Sequence, residues 1–267
     1  MPDRPSAANA AVAPHPLISN ERLRHLYTTL LRARLLRQRN PLRGPAPLVA
    51  REAVLTGTVT HLEKDDTVMP LPGDQVAALA RGHSIRRVLR GGSLSGMLAA
   101  AAAPEVRFAI ATGYARAQQA SKQIVLAFSG PGVTSLDGLR SSLAYAALEK
   151  LGIVFVIETA AEAEVSSARR TEPLGLYGIP VDGNDVIAIY RVAQEAIQRA
   201  RRGVGPTIID CKPWPLASTK DAPTDPVRRL EQALEPRGLE IAKLKQRTIA
   251  GFRRELAAAG RKPRPTA

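Results

Sequence analysis

Two short apolar runs, residues 123–128 and 153–157, bracket a glycine turn and a helix-length segment, and this pattern constrains the fold most tightly. Runs this short, rich in Val and Ile and bounded by Gly and Pro, read as strands buried within a sheet. The turn between them is Ser129-Gly130-Pro131-Gly132, followed by a predicted helix over 135–150. A third strand is predicted around 180–182 and a long helix over 185–202. Gly205-Pro206 then leads into a strand over 207–211. Strand, helix, strand, strand, helix, strand at these spacings predicts an α/β fold, a parallel sheet flanked by helices on both faces.

Upstream, Leu23, Leu26, Leu30 and Leu31 recur at helical spacing, with Ser19 or Asn20 available as a cap and Glu21 in the first turn. Asn40-Pro41 ends that helix. Residues 49–62 read as helical, 63–66 as a polar turn and 67–70 as a short extended stretch. Pro72-Gly73 opens a helix carrying Val76, Leu79 and Ala80, and another helix is predicted over 104–120. After Pro213 the chain turns polar and proline-rich, with a last helix over 236–259 and a basic tail containing Arg261, Lys262 and Arg264. The expected organisation is a disordered leader over 1–18, one α/β domain over 19–220, and a helical extension with the tail over 221–267.

Composition narrows the setting. Aromatics are only 4% of the chain, so Leu, Val, Ile and Ala must build the core. The single cysteine, Cys211, ends an apolar run, which predicts a buried, inert thiol in a reducing compartment, the cytoplasm. No stretch has signal-peptide character. The longest apolar run, 97–103, has seven residues and cannot span a bilayer, so no membrane partner is expected. A formal charge of +14 favours acidic partners at long range. Its arginines are spread along the chain, as in Arg32, Arg34, Arg37 and Arg39, and read as solvated helix faces. No basic run is interleaved with aromatics, so nucleic acid is not the expected partner, although a basic nucleic-acid-binding module stays open as an alternative.

In a doubly wound sheet, ligands bind at the carboxyl ends of the strands. Gly130, Gly132 and Val133, ahead of the helix over 135–150, therefore form the candidate phosphate-binding turn.

The wider wording is more specific. Leu126-Ala127-Phe128-Ser129-Gly130-Pro131-Gly132, then Leu151-Gly152-Ile153-Val154-Phe155-Val156-Ile157-Glu158, Tyr177-Gly178-Ile179-Pro180, Val181-Asp182-Gly183-Asn184-Asp185-Val186 and Gly205-Pro206-Thr207-Ile208-Ile209 follow in order. Over roughly residues 20–220 this resembles the α subunit of the thiamine diphosphate-dependent 2-oxo acid dehydrogenases, the E1 component of pyruvate and branched-chain complexes. Arg51-Glu52-Ala53, Ala78-Leu79-Ala80-Arg81-Gly82 and Ile110-Ala111-Thr112-Gly113 look like earlier landmarks of that family. The resemblance implies the thiamine diphosphate-binding fold, thiamine diphosphate and Mg as cofactors, and a partner: an E1 β-like subunit or a further copy of the chain.

The departures fall on the cofactor motif. The family's turn reads Gly-Asp-Gly, and its Asp ligates the metal; the matching residue here is Pro131. The family's Asn-Asn pair after the next strand supplies a second ligand; here Thr159 and Ala160 stand there. Magnesium requires oxygen ligands, and neither Pro131 nor Ala160 carries one on its side chain. Family Tyr-Arg and His positions are filled by Pro72-Gly73 and Gln75, and a His-x-His by Ala217 and Thr219. The segment between Ser93 and Ala109, where the family helps form its substrate funnel, is short. No catalytic residue is assigned, and the four histidines, His15, His25, His61 and His83, read as surface or loop residues. The expectation is a non-catalytic or cofactor-deficient E1 α-like subunit. Two alternatives remain open at this point: Asp137, Glu158, Glu162 or Glu164 rebuilding a metal site in an active enzyme, and Arg169 or Arg170 supplying charge to a diphosphate.

Overall fold

The computed structural model describes residues 18–39, 51–99, 101, 103–130, 135–160, 166–212 and 224–260. Five parallel strands form one sheet: β1 (Thr67–Met69), β2 (Val125–Phe128), β3 (Ile153–Glu158), β4 (Tyr177–Asp182) and β5 (Thr207–Lys212), in the spatial order β1-β2-β3-β5-β4. The registers are even throughout, with Val125 beside Ile153 and Val154 beside Thr207. Fully buried β2 and β3 take the centre, as their continuous apolar runs require. Pro180 sits in β4 at an edge, where a missing N–H costs no ladder bond.

Side chains alternate along each strand and so feed two cores. Val125, Ala127, Ile153, Phe155, Ile157 and Ile208 face one side, packing with Phe108 and Ala111 of α5 (Pro104–Ala117) and Leu143 and Ala146 of α6 (Arg140–Leu148). Leu126, Phe128, Val154, Val156, Ile209 and Cys211 face the other. There they meet α1 (Asn20–Arg39), α2 (Arg51–Val59) and α8 (Val186–Arg201). The reversal is topological. The β2-to-β3 step runs toward β5, while β4 lies outside β5 and α8 must carry the chain back. With right-handed crossovers, that reversal moves the helix to the opposite face.

Four short helices, α3 (Gln75–Ala80), α4 (Ile85–Arg90), α7 (Ser167–Thr171) and α9 (Pro226–Leu234), and the long α10 (Ile241–Ala259) complete the described body. The last helix, expected over 236–259, is α10 and begins at Ile241, and a further helix, α9, precedes it. Asp225 caps α9 by accepting from the Val227 and Arg228 amides, and Gly238, at φ 67°, turns the chain before α10 begins. Leu230 and Leu234 of α9 join the core with α1, and Phe252 of α10 joins Leu36, Ile85 and Val88. Ile18, expected in the leader, is buried against the same core. Among the described residues, no helix is long and apolar enough to cross a membrane.

The arginines do not all coat solvated faces. Arg34 and Arg37 of α1 turn inward onto the fully buried Glu52 at 2.5 and 2.7 Å, and Arg34 also reaches Asp225 at 2.8 Å. A long helix with a basic stripe reads as exposed in one dimension. Here α2 lays an acid against that stripe.

Candidate functional site

The strand ends are assembled from Ser129 and Gly130 after β2, Glu158, Thr159 and Ala160 at β3, and the N-terminus of α2. Ser129 is buried and ties two strands together: its Oγ accepts from the Glu158 amide at 3.1 Å. Thr159 is turned into the protein, donating to Asp210 at 2.5 Å and sharing a 2.7 Å hydrogen bond with Ser167. Asp210 also accepts from the Ala168 amide, so it fastens α7 to β5. Ala160 follows with no side-chain oxygen.

Glu158 is fully buried, and both of its carboxylate oxygens accept from Arg51 Nε, at 3.0 and 2.8 Å. The same guanidinium donates from Nη1 to Asp74 at 3.2 Å. Asp74 is itself the N-cap of α3, its other oxygen accepting from the Ala77 amide at 3.1 Å. Burial acts against the charge on Arg51, but Glu158 and then Asp74 outweigh it, and Arg51 is held protonated more firmly than an ordinary arginine.

A second guanidinium lies close by. Arg107 of α5 is buried and donates to the carbonyls of Phe128 at 3.2 Å, Ala101 at 2.8 Å and Ser129. It satisfies acceptors left open where β2 stops pairing. Its affinity for a proton is lowered, first by burial and then by the charge of Arg51, with Glu105 and Glu158 opposing. Gly130 is the one glycine of the turn within the described residues. At φ +90° it takes a conformation that side-chain-bearing residues avoid, and a Cβ there would sit 2.8 Å from Leu71 Cδ2. Leu71 fills the space beside the turn.

Of the predicted cofactor turn, Gly130 is described, while Pro131, Gly132 and Val133 lie outside the described residues. So do Glu162, Glu164, Ala217, Thr219, His15 and the basic tail. Asp137 is exposed, accepting a hydrogen bond from Ser135 at 2.7 Å and forming a loose ion pair with Arg140 at 3.8 Å. Among the described residues, no group of three His, Cys, Asp or Glu side chains could hold a metal ion. Magnesium needs six oxygens at about 2.0–2.1 Å, and the one acid on β3 is committed to Arg51. Magnesium therefore does not fit the side chains at the described strand ends, while residues 131–134, which would face a diphosphate, lie outside the described residues.

The sequence marks Arg51 only as a family landmark and Glu158 as one of four acids that could rebuild a metal site; their pairing is not visible in it. Arg107 carried a usable signal, since it falls on the buried stripe of α5 with Phe108, Ala111 and Ala115. A lone arginine on an apolar helical stripe has to find acceptors. Cys211 is buried and free, and burial together with Glu158 pushes its thiol up, consistent with an inert core residue. His61 lies in the turn after α2 and is partly buried: its Nε2 donates to the Tyr190 carbonyl at 2.7 Å and its ring lies 3.9 Å from that of Tyr190. It lines a cavity of about 360 Å³ with Arg22, Glu63 and Arg201, at the opposite end of the strands from Glu158.

Residues 94–224 match the family described as the dehydrogenase E1 component. The chain is 30% identical over 215 residues to the pyruvate dehydrogenase E1 component subunit alpha-3, chloroplastic, of Arabidopsis thaliana, covering 67% of this chain and 50% of that protein. It is 31% identical over 220 residues to the pyruvate dehydrogenase E1 component subunit alpha of Porphyra purpurea, covering 68% and 64%. Against the 3-methyl-2-oxobutanoate dehydrogenase subunit alpha of Mycobacterium tuberculosis the figure is 27% over 281 residues, covering 88% and 77%. The chain thus spans half of the Arabidopsis protein and somewhat less than two thirds of the Porphyra protein.

Proposed function

Residues 94–224 belong to the dehydrogenase E1 component family, and from that premise we propose that the chain is an E1 α-like subunit that assembles but does not itself hold magnesium and thiamine diphosphate. The observation that carries this reading is the pairing of Glu158 with Arg51. The acid on β3 that could approach a metal is neutralised by a guanidinium, and Ala160, two residues on, offers no ligand. Pro131 in the turn after β2 offers neither a carboxylate nor a backbone N–H. A dianionic diphosphate would lose the dication that normally screens it, and backbone dipoles alone are a weak substitute.

The role left to such a subunit is structural or regulatory, within the cytoplasm and in company with an E1 β-like chain or a further copy of itself. Its outer surface supports pairing. Val106 and Ile110 on α5 and Tyr145 and Leu148 on α6, two helices packed together, are exposed; Leu148 is 80% exposed. Clustered apolar residues of this kind mark a surface that another chain covers.

The experiment is calorimetric titration of thiamine diphosphate with magnesium into the purified chain, alone and co-expressed with a β-like subunit. No magnesium-dependent heat in either preparation is expected. Magnesium-dependent saturation in the co-expressed pair would return the chain to the active 2-oxo acid dehydrogenases with a rebuilt metal site.

A further inference from the structure

Helix α5 is apolar on both sides. Phe108, Ala111 and Ala115 enter the core, while Val106, Ala109, Ile110, Gly113 and Ala117 run along the opposite side, exposed. A helix of that kind reads as one covered on both faces. α6 lies beside it and runs in the same direction. A Cβ on Gly138, just before α6, would sit 3.5 Å from Glu105 Cβ at the start of α5. At the other end, Gln119 Nε2 donates to the Glu149 carbonyl at 2.8 Å. The exposed Tyr145 and Leu148 of α6 add to the apolar surface. Gly113 has no explanation in the chain's own packing. It stands inside α5, where glycine weakens a helix relative to alanine, and a Cβ there would meet no atom within 4 Å. Its missing side chain does admit a second backbone from outside.

The two ends of this face indicate whose backbone that is. Glu105 and Asp137 lie where the helices begin, with Arg140 beside them; Arg116 and Lys150 lie where they finish, with Glu149. Acid is in excess at one end and base at the other. Ile110 lies midway between Glu105 and Arg116 in the chain. A two-fold axis across the helices near Ile110 therefore sets Glu105 of each copy against Arg116 of the other. The helix dipoles then run antiparallel as well. A two-fold interface has to be self-complementary, and reversal of charge from end to end meets that condition. Stacking two copies in the same direction would instead set acid on acid.

We propose that two copies of this chain pair through the α5–α6 face, α5 crossing α5 about a two-fold axis near Ile110, with Gly113 giving the close approach. This rests on the reading of the chain as a subunit that assembles, and it names the partner on this face: a second copy rather than a β-like chain. Val106, Ile110, Tyr145 and Leu148 supply the apolar contact, and the charged ends fix the direction of pairing.

The test is sedimentation velocity of the full chain alone over a dilution series. The wild type is expected to be a reversible dimer. Ile110→Arg and Gly113→Leu should each raise its dissociation constant by about 30-fold or more. Leucine is the better helix former, so circular dichroism of Gly113→Leu should show undiminished helix, which separates lost pairing from lost folding. Charge reversal tests the direction. Glu105→Lys and Arg116→Glu should each weaken pairing alone, and an equimolar mixture of the two variants should recover it, because each altered residue then meets its opposite. A wild type that stays monomeric overturns the proposal, as does a dimer that Ile110→Arg and Gly113→Leu leave intact, or a mixture that pairs no better than either variant. So does a monomer that binds a co-expressed β-like chain and loses it on Ile110→Arg, an outcome that leaves the proposed function standing. None of these readouts involves thiamine diphosphate or magnesium, so the calorimetric result can fail independently.

Discussion

Glu52 shows most directly what single residues do here. It is fully buried, and two arginines of α1 converge on it at 2.5 and 2.7 Å. Removing one partner of such a network strands the other charges in a low-dielectric interior. Glu52→Ala is expected to cost about 3–5 kcal/mol, read as a lower denaturant midpoint. A loss under 1 kcal/mol would mean that water reaches Arg34 and Arg37. His61 gives a pH dependence whose sign can be worked out. Burial lowers its pKa to about 4, the Tyr190 carbonyl partly offsetting this and Arg22 adding to it. The unfolded chain takes up a proton near the ordinary value of 6.5 and the folded chain does not until about 4. Stability should therefore decline as pH falls from 6.5 toward 4, and His61→Gln should flatten that part of the profile. An unchanged profile in the variant would remove His61 as its cause. None of these roles was legible from residue type. A sequence displays a glutamate or a histidine but not which helix will be laid over it.

At the scale of elements, the central strands were the most legible, because an apolar run between glycines has few other uses. The runs over 123–128 and 153–157 became β2 and β3 to within two residues. The helices α4, α7 and α9 went unread because they have six, five and nine residues. Only two or three core contacts are repeated in so short a helix, and periodicity cannot detect them. What holds such elements in place is capping. Ser84, Ser166 and Asp225 each accept amide protons from the first turn that follows. The same device starts α8. Asp185 accepts from the Ile187 and Ala188 amides, both at 3.0 Å, and also faces Arg229 at 3.3 Å. Asp185→Ala is expected to destabilise the chain by about 1–2 kcal/mol, with hydrogen exchange accelerated first at the start of α8. Exchange rates unaltered in that turn would show that the cap contributes little.

Across the whole molecule, the parallel sheet and its two helical layers followed from the order of elements, because right-handed crossovers leave few topologies open. The strand ends did not follow in the same way. From the sequence, the absence of side-chain ligands at Pro131 and Ala160 could be read, but not what occupies the neighbouring space. Three distant segments had to meet before it emerged that Arg51 from α2 binds Glu158 on β3 and Asp74 before α3, with Arg107 alongside. We propose that this E1 α-like scaffold carries a closed ion-pair network where the family's metal-dependent cofactor site is expected. Titration of thiamine diphosphate, with and without magnesium, into the chain paired with a β-like subunit tests it most directly. The account predicts no heat that depends on magnesium. Saturable binding that appears with magnesium and vanishes with EDTA would contradict it.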